Sequence, residues 1–163
     1  MDNKKINLSG SNAAKRLARL AAVQVLYQVS FGEEKLDDIL GRNLEEFVTV
    51  LNGDEGDEGE GPMLLGAPDS EMVADIARGT MAHKETLEEM VGGSLGPNRS
   101  LARMERLLQV LLCAGAYELY HHGEIDAPII ISDYVDVTCA FFNDKEPALV
   151  NAILDSIGKK VRS

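Results

Sequence analysis

Between Leu107 and Tyr120 the chain reads Leu-Leu-Gln-Val-Leu-Leu-Cys-Ala-Gly-Ala-Tyr-Glu-Leu-Tyr, apolar at almost every position. A run of this length with no strand alternation is a helix, and one apolar on all sides must be surrounded by other elements. The rest of the sequence supplies them as helices. Ser11 or Asn12 can cap a helix reaching to about Ser30, with no Gly or Pro between Ala13 and Val29. Residues 33–52 carry Leu36, Ile39, Leu40, Leu44, Phe47, Val48 and Leu51 at three-to-four spacing. Periodicity resumes after Pro68, where Asp69 or Ser70 can cap, and runs to about Val91, where Gly92, Gly93 and Pro97 stop it.

The buried helix is expected over Ser100 to Tyr120, and two more over 129–142 and 146–161. Ile129-Ile130-Ile131 resembles a strand, but Tyr134, Val135, Cys139 and Phe142 continue it at helical spacing. No hairpin signal and no repeat is present. The fold class is therefore all-α: six to seven helices around a buried central one, as a single domain over 1–163. Residues 1–11 are expected to be a flexible basic arm. Residues 53–68, opening with Gly-Asp-Glu-Gly-Asp-Glu-Gly-Glu-Gly-Pro, are expected to be an acidic, disordered loop.

The longest uncharged apolar run, Val110 to Tyr117, is far shorter than the ~20 residues a bilayer span requires. Lys4 and Lys5 lack the apolar stretch of a signal peptide. Cys113 and Cys139 form no disulfide framework. A cytoplasmic protein without membrane contact is expected.

Enzyme motifs fail on context. Gly92-Gly-Ser94-Leu-Gly96 matches a nucleophile elbow, but a helix precedes it and Pro97 follows, where a strand and a helix are required. Counting an EF-hand loop from Asp54 puts Leu65 where a bidentate Glu belongs. His83, His121 and His122 give no zinc spacing, and there is no phosphate or dinucleotide loop. Hence no enzyme, metal or cofactor is expected.

The net charge of −11 argues against nucleic acid, but its distribution does not. Residues 1–30 carry +4, residues 31–90 carry −13 and residues 91–163 carry −2. At about 100° per residue, Lys15, Arg16 and Arg19 fall within one third of the first helix's circumference, a spacing suited to phosphates. A solvated face is the plain alternative.

Four segments then line up with one family. Arg16-Leu-Ala-Arg-Leu-Ala-Ala-Val-Gln-Val-Leu-Tyr27 resembles the opening of the NusB family of bacterial transcription antitermination factors. Ala114-Gly-Ala-Tyr-Glu-Leu119, then Asp126-Ala-Pro128 with Ile131-Ser-Asp-Tyr-Val-Asp136, and Val150-Asn-Ala-Ile-Leu-Asp155 resemble its later segments in the same order. The resemblance implies two small helical bundles on a long buried helix. It also implies binding of boxA RNA jointly with NusE, a small-subunit ribosomal protein, and action in the RNA polymerase antitermination complex during ribosomal RNA synthesis.

The family's RNA contacts carry over to Lys15, Arg16 and Arg19, with Lys4 and Lys5 in the preceding arm. Partner contacts are placed at Tyr27, Glu146 and Leu149, Tyr27 being otherwise a core residue. Gln109, Cys113 and Ala148 stand where relatives often carry basic residues, and Ala152 replaces a family Gly. Weak affinity for RNA alone is expected, with the basic partner contributing much of the binding. Asn151 is expected as a buried brace, Asp133 and Asp136 on a solvated or partner-facing edge, and Tyr117 and Leu119 in the core.

Two alternatives stay open. One is a NusB-like domain such as precedes ribosomal RNA cytosine methyltransferases, disfavoured because the chain ends at Ser163. The other is a purely protein-binding helical adaptor. A homodimer through the Arg-bearing surface is a further open state.

Overall fold

The computed structural model describes residues 13–42 and 68–162. The basic arm with Lys4 and Lys5, the acidic loop 53–67 and the second half of the 33–52 helix lie outside the described residues. Those described form seven α-helices and one 3-10 turn, with no strand. The helices are α1 (Ala13–Val29), α2 (Leu36–Leu40), α3 (Ser70–Ala82), α4 (Lys84–Gly92), α5 (Arg106–His121), α6 (Ala127–Phe141) and α7 (Glu146–Val161).

The centre is α5, which packs against α1, α3, α4, α6 and α7. Its residues from Leu111 to Leu119 are all buried, so the stretch that is apolar on every side is indeed enclosed on every side. On one flank α1, α2 and α3 touch one another; on the other, α6 and α7 form a pair. Tyr117 and Leu119 are core residues, as expected. The triple isoleucine is helical: Pro128 occupies the first turn of α6, where its fixed φ and missing N–H cost nothing.

Element ends follow local chemistry. Asp69 caps α3 by accepting from the Met72 N–H at 3.2 Å. Gly32, at φ +77°, takes the chain out of α1 through a left-handed turn. The guanidinium of Arg162 donates to the carbonyls of Leu119, Ile125 and His122 and so closes the end of α5.

Three expected helices differ from the observed ones. The stretch to Val91 is two helices, broken at His83, whose backbone leaves the helical region at φ −112°, ψ 25°. Its ring Nδ1 lies 2.9 Å from the Gly79 carbonyl, the same group its backbone N–H reaches. The expected Ser100–Tyr120 helix begins only at Arg106, after a 3-10 turn over Leu101–Arg103 and an extended Met104. Residues 33–35 stay outside α2, which ends at Leu40 where Gly41, a poor helix former, follows.

Candidate nucleic-acid interface

Helix α1 has no charged residue after Arg19, so its basic groups are concentrated in its first two turns. Facing them across the fold are Glu118 on α5 and Asp133 on α6. Lys15 is exposed and the Arg16 side chain is 22% exposed, whereas the Arg19 side chain is 1% exposed. Sequence reasoning put all three on one open face; the structure turns Arg19 inward. A wheel shows which residues share a side of α1, and here α5 and α6 cover part of that side.

Arg19 is held on three edges. Its Nε donates to Glu118 Oε2 at 2.8 Å, its Nη2 to Glu118 Oε1 at 2.9 Å, and its Nη1 to Asp133 Oδ2 at 2.6 Å. Glu118 is fully buried and accepts a further bond from the Tyr134 hydroxyl at 2.6 Å. Burial opposes charge on Glu118, yet the bonds from His122 and Arg19 hold its pKa below the ordinary carboxylate range. Burial also opposes charge on Arg19, and Glu118 outweighs it, so the guanidinium stays cationic. Tyr134 is pushed well up by burial and by the Glu118 charge, which keeps its proton in place to donate.

The network continues on both sides. Towards α3, His122 places Nδ1 3.1 Å from Glu118 Oε1 and Nε2 2.6 Å from Asp75 Oδ2, and Tyr117 donates to Asp75 Oδ1 at 3.0 Å. With a carboxylate at each nitrogen, the doubly protonated ring is favoured and the His122 pKa is raised, chiefly by the Glu118 bond. Towards the surface, Arg16 Nε donates to Asp133 Oδ1 at 3.2 Å. One carboxylate, Asp133, thus joins a buried guanidinium to a half-buried one.

Two further expectations change. Asp133 is 4% exposed, not on a solvated edge, because α6 packs that face on α1. Asn151 is exposed rather than a buried brace, and it borders an α6–α7 groove of 540 Å³ floored by Ile131 and Val135. Glu118 was visible only inside the Tyr-Glu-Leu segment. The signal was there all the same, since a lone acid in an apolar stretch must meet a buried partner.

Tyr27 sits eleven residues beyond Arg16, about 16 Å along α1 at 1.5 Å per residue. Its ring meets Phe31 edge to face at 4.9 Å, and the Arg106 guanidinium lies 4.7 Å over Phe31. Glu146 and Leu149 are both half-buried in the first turn of α7, Leu149 against the core. Among the described residues no cluster of His, Cys, Asp or Glu could hold a metal ion, and no helix is long and apolar enough to cross a membrane.

A family model described as the NusB family matches residues 16–159. The chain is 34% identical over 164 residues to the transcription antitermination protein NusB of Rhodopseudomonas palustris (strain BisB18), covering 100% of this chain and 92% of that protein. It is also 34% identical over 145 residues to the protein of that name from Sinorhizobium medicae (strain WSM419), covering 89% and 86%. Among solved structures it is similar to T. maritima NusB, with a TM-score of 0.68 at 23% identity, covering 90% of this chain and 91% of that one. A second similar structure holds antitermination factors NusB and NusE in complex with dsRNA, with a TM-score of 0.68 at 20% identity and coverage of 90% and 97%.

Proposed function

The chain belongs to the NusB family, and from that premise we propose that it is a cytoplasmic, non-catalytic antitermination factor of a single domain. It binds boxA RNA jointly with NusE and acts on RNA polymerase during ribosomal RNA transcription. The observation that carries the RNA part is the start of α1, where exposed Lys15 and half-buried Arg16 stand side by side. Phosphate contacts by such groups release counter-ions and give sequence-independent affinity. Arg19 serves this surface from within by anchoring α1 to α5 and α6. Lys4 and Lys5 add to the RNA contacts, and Tyr27, Glu146 and Leu149 belong to the partner contacts.

The burial of Arg19 favours one second reading, a protein-binding adaptor, because it takes a cation away from the exposed face. Fluorescence anisotropy with labelled boxA RNA separates the two. NusE should tighten binding, and Arg16→Ala and Lys15→Ala should each weaken it. Each variant should also flatten the log–log salt dependence by about 0.7 for every phosphate it no longer neutralises. NusE binding with no RNA binding at any salt concentration establishes the adaptor instead.

A further inference from the structure

The Arg16–Asp133–Arg19 arrangement has a feature that simple phosphate binding does not require. The half-buried arginine proposed to meet RNA already has a carboxylate partner inside the protein, and that carboxylate has a second cation. Asp133 gives Oδ1 to Arg16 Nε at 3.2 Å and Oδ2 to Arg19 Nη1 at 2.6 Å. The shorter bond is the deeper one: the Arg19 side chain is 1% exposed against 22% for Arg16.

Resting on the RNA-binding reading above, we propose that Asp133 is a built-in competitor for Arg16, and that Arg19 holds Asp133 in place so that Arg16 alone can leave it for an RNA phosphate. A carboxylate stripped of its only cation in a buried site is costly. Asp133 is never stripped, because Arg19 stays bonded to it when Arg16 departs. Arg19 is in turn fixed by its two bonds to Glu118. At Asp133 the exchange trades one charge-assisted hydrogen bond for another, and a ligand wins it there only by bringing a stronger anionic field than one carboxylate. A polyphosphate backbone does so; an isolated acidic side chain does not. Asp133 thus sets a threshold of ligand charge at the start of α1.

Asp133→Asn isolates the effect. The amide has one acceptor oxygen, and the buried Arg19 claims it, since an unmatched buried guanidinium is the more expensive outcome. The amide N–H groups then face the Arg16 Nε–H, donor against donor, and Arg16 loses its tie to Asp133. With the full chain, saturating NusE and the labelled RNA, Asp133→Asn should bind about two- to fivefold tighter, the worth of a partly exposed ion pair. Its salt slope should match wild type, because Arg16 reaches one phosphate in both and only the cost of leaving Asp133 is removed. The gain should vanish in an Arg16→Ala background.

Equal or weaker binding by a folded Asp133→Asn overturns the proposal, as does a gain that survives Arg16→Ala, which would mark a general charge effect. Should Asp133→Asn fail to fold, the arginine Nε–H resonances of the wild type decide. The Arg16 signal should move on adding RNA while that of Arg19 stays, and any other pattern refutes the exchange. Wild-type protein that binds no RNA even with NusE removes the RNA-binding reading itself, and the competitor with it.

Discussion

Arg19 and Glu118, 99 residues apart in the chain, meet as a two-pronged pair in the interior, Nε to Oε2 at 2.8 Å and Nη2 to Oε1 at 2.9 Å. Both are buried, and together they tie the first helix to the central one. Arg19→Ala leaves Glu118 and Asp133 without that cation, which should cost about 3–5 kcal/mol by denaturant unfolding. Arg19→Lys should recover only part of this, because an ammonium cannot span both carboxylate oxygens. At temperatures where it remains folded, Arg19→Ala should also flatten the salt slope of RNA binding by about 0.7, because Asp133 without Arg19 keeps hold of Arg16.

The same site makes stability depend on pH from two directions. Glu118 has a folded pKa below its ordinary 4.5, so its contribution is present above that value and is lost as pH falls through the lower, folded one. Glu118→Gln should be less stable at neutral pH and should lose less stability on acidification. His122 has a folded pKa above its ordinary 6.5, so its contribution is complete below 6.5 and fades as pH rises through the higher, folded one. His122→Gln should remove that decline. Thermal melts from pH 2 to 9 test both signs, and a wild type whose melting curve matches His122→Gln throughout would contradict the second.

Gly79 lets α3 and α5 approach. A methyl group there would lie 2.1 to 2.3 Å from atoms of the Tyr117 ring. Gly79→Ala should therefore destabilise by about 1–3 kcal/mol, in spite of the better helix propensity of alanine. Trimming the ring by Tyr117→Leu should make the two changes non-additive in a double-mutant cycle.

The two cysteines should differ in reactivity. Cys113 is buried in α5 and its thiol is pushed up to about 12, chiefly by burial. Cys139, on α6, is only half-buried. A thiol-specific disulfide reagent should label Cys139 first under native conditions, with the order disappearing in denaturant. Early labelling of Cys113 would mean that α5 is less enclosed than its packing indicates.

Helix number and the enclosure of α5 were legible because they depend on local periodicity and on the apolar character of one continuous stretch. The breaks at His83 and Met104 were not, since one turns on a ring reaching the Gly79 carbonyl and the other on a 3-10 turn within an apolar repeat. Asn151 misled for a related reason: its place in a motif says nothing about which side of α7 meets α6.

From sequence alone, the chain was bound to be helical, to bury most of the stretch from Leu107 to Leu119, and to carry its basic charge at the start of α1. That much follows from spacing along one chain and from the cost of exposing apolar surface. Which arginine faces water and which holds the core together was decided only when α5 and α6 brought Glu118 and Asp133 to α1 across 99 and 114 residues. The charge on a buried group is set by its partners in space, and a helical wheel contains no partners.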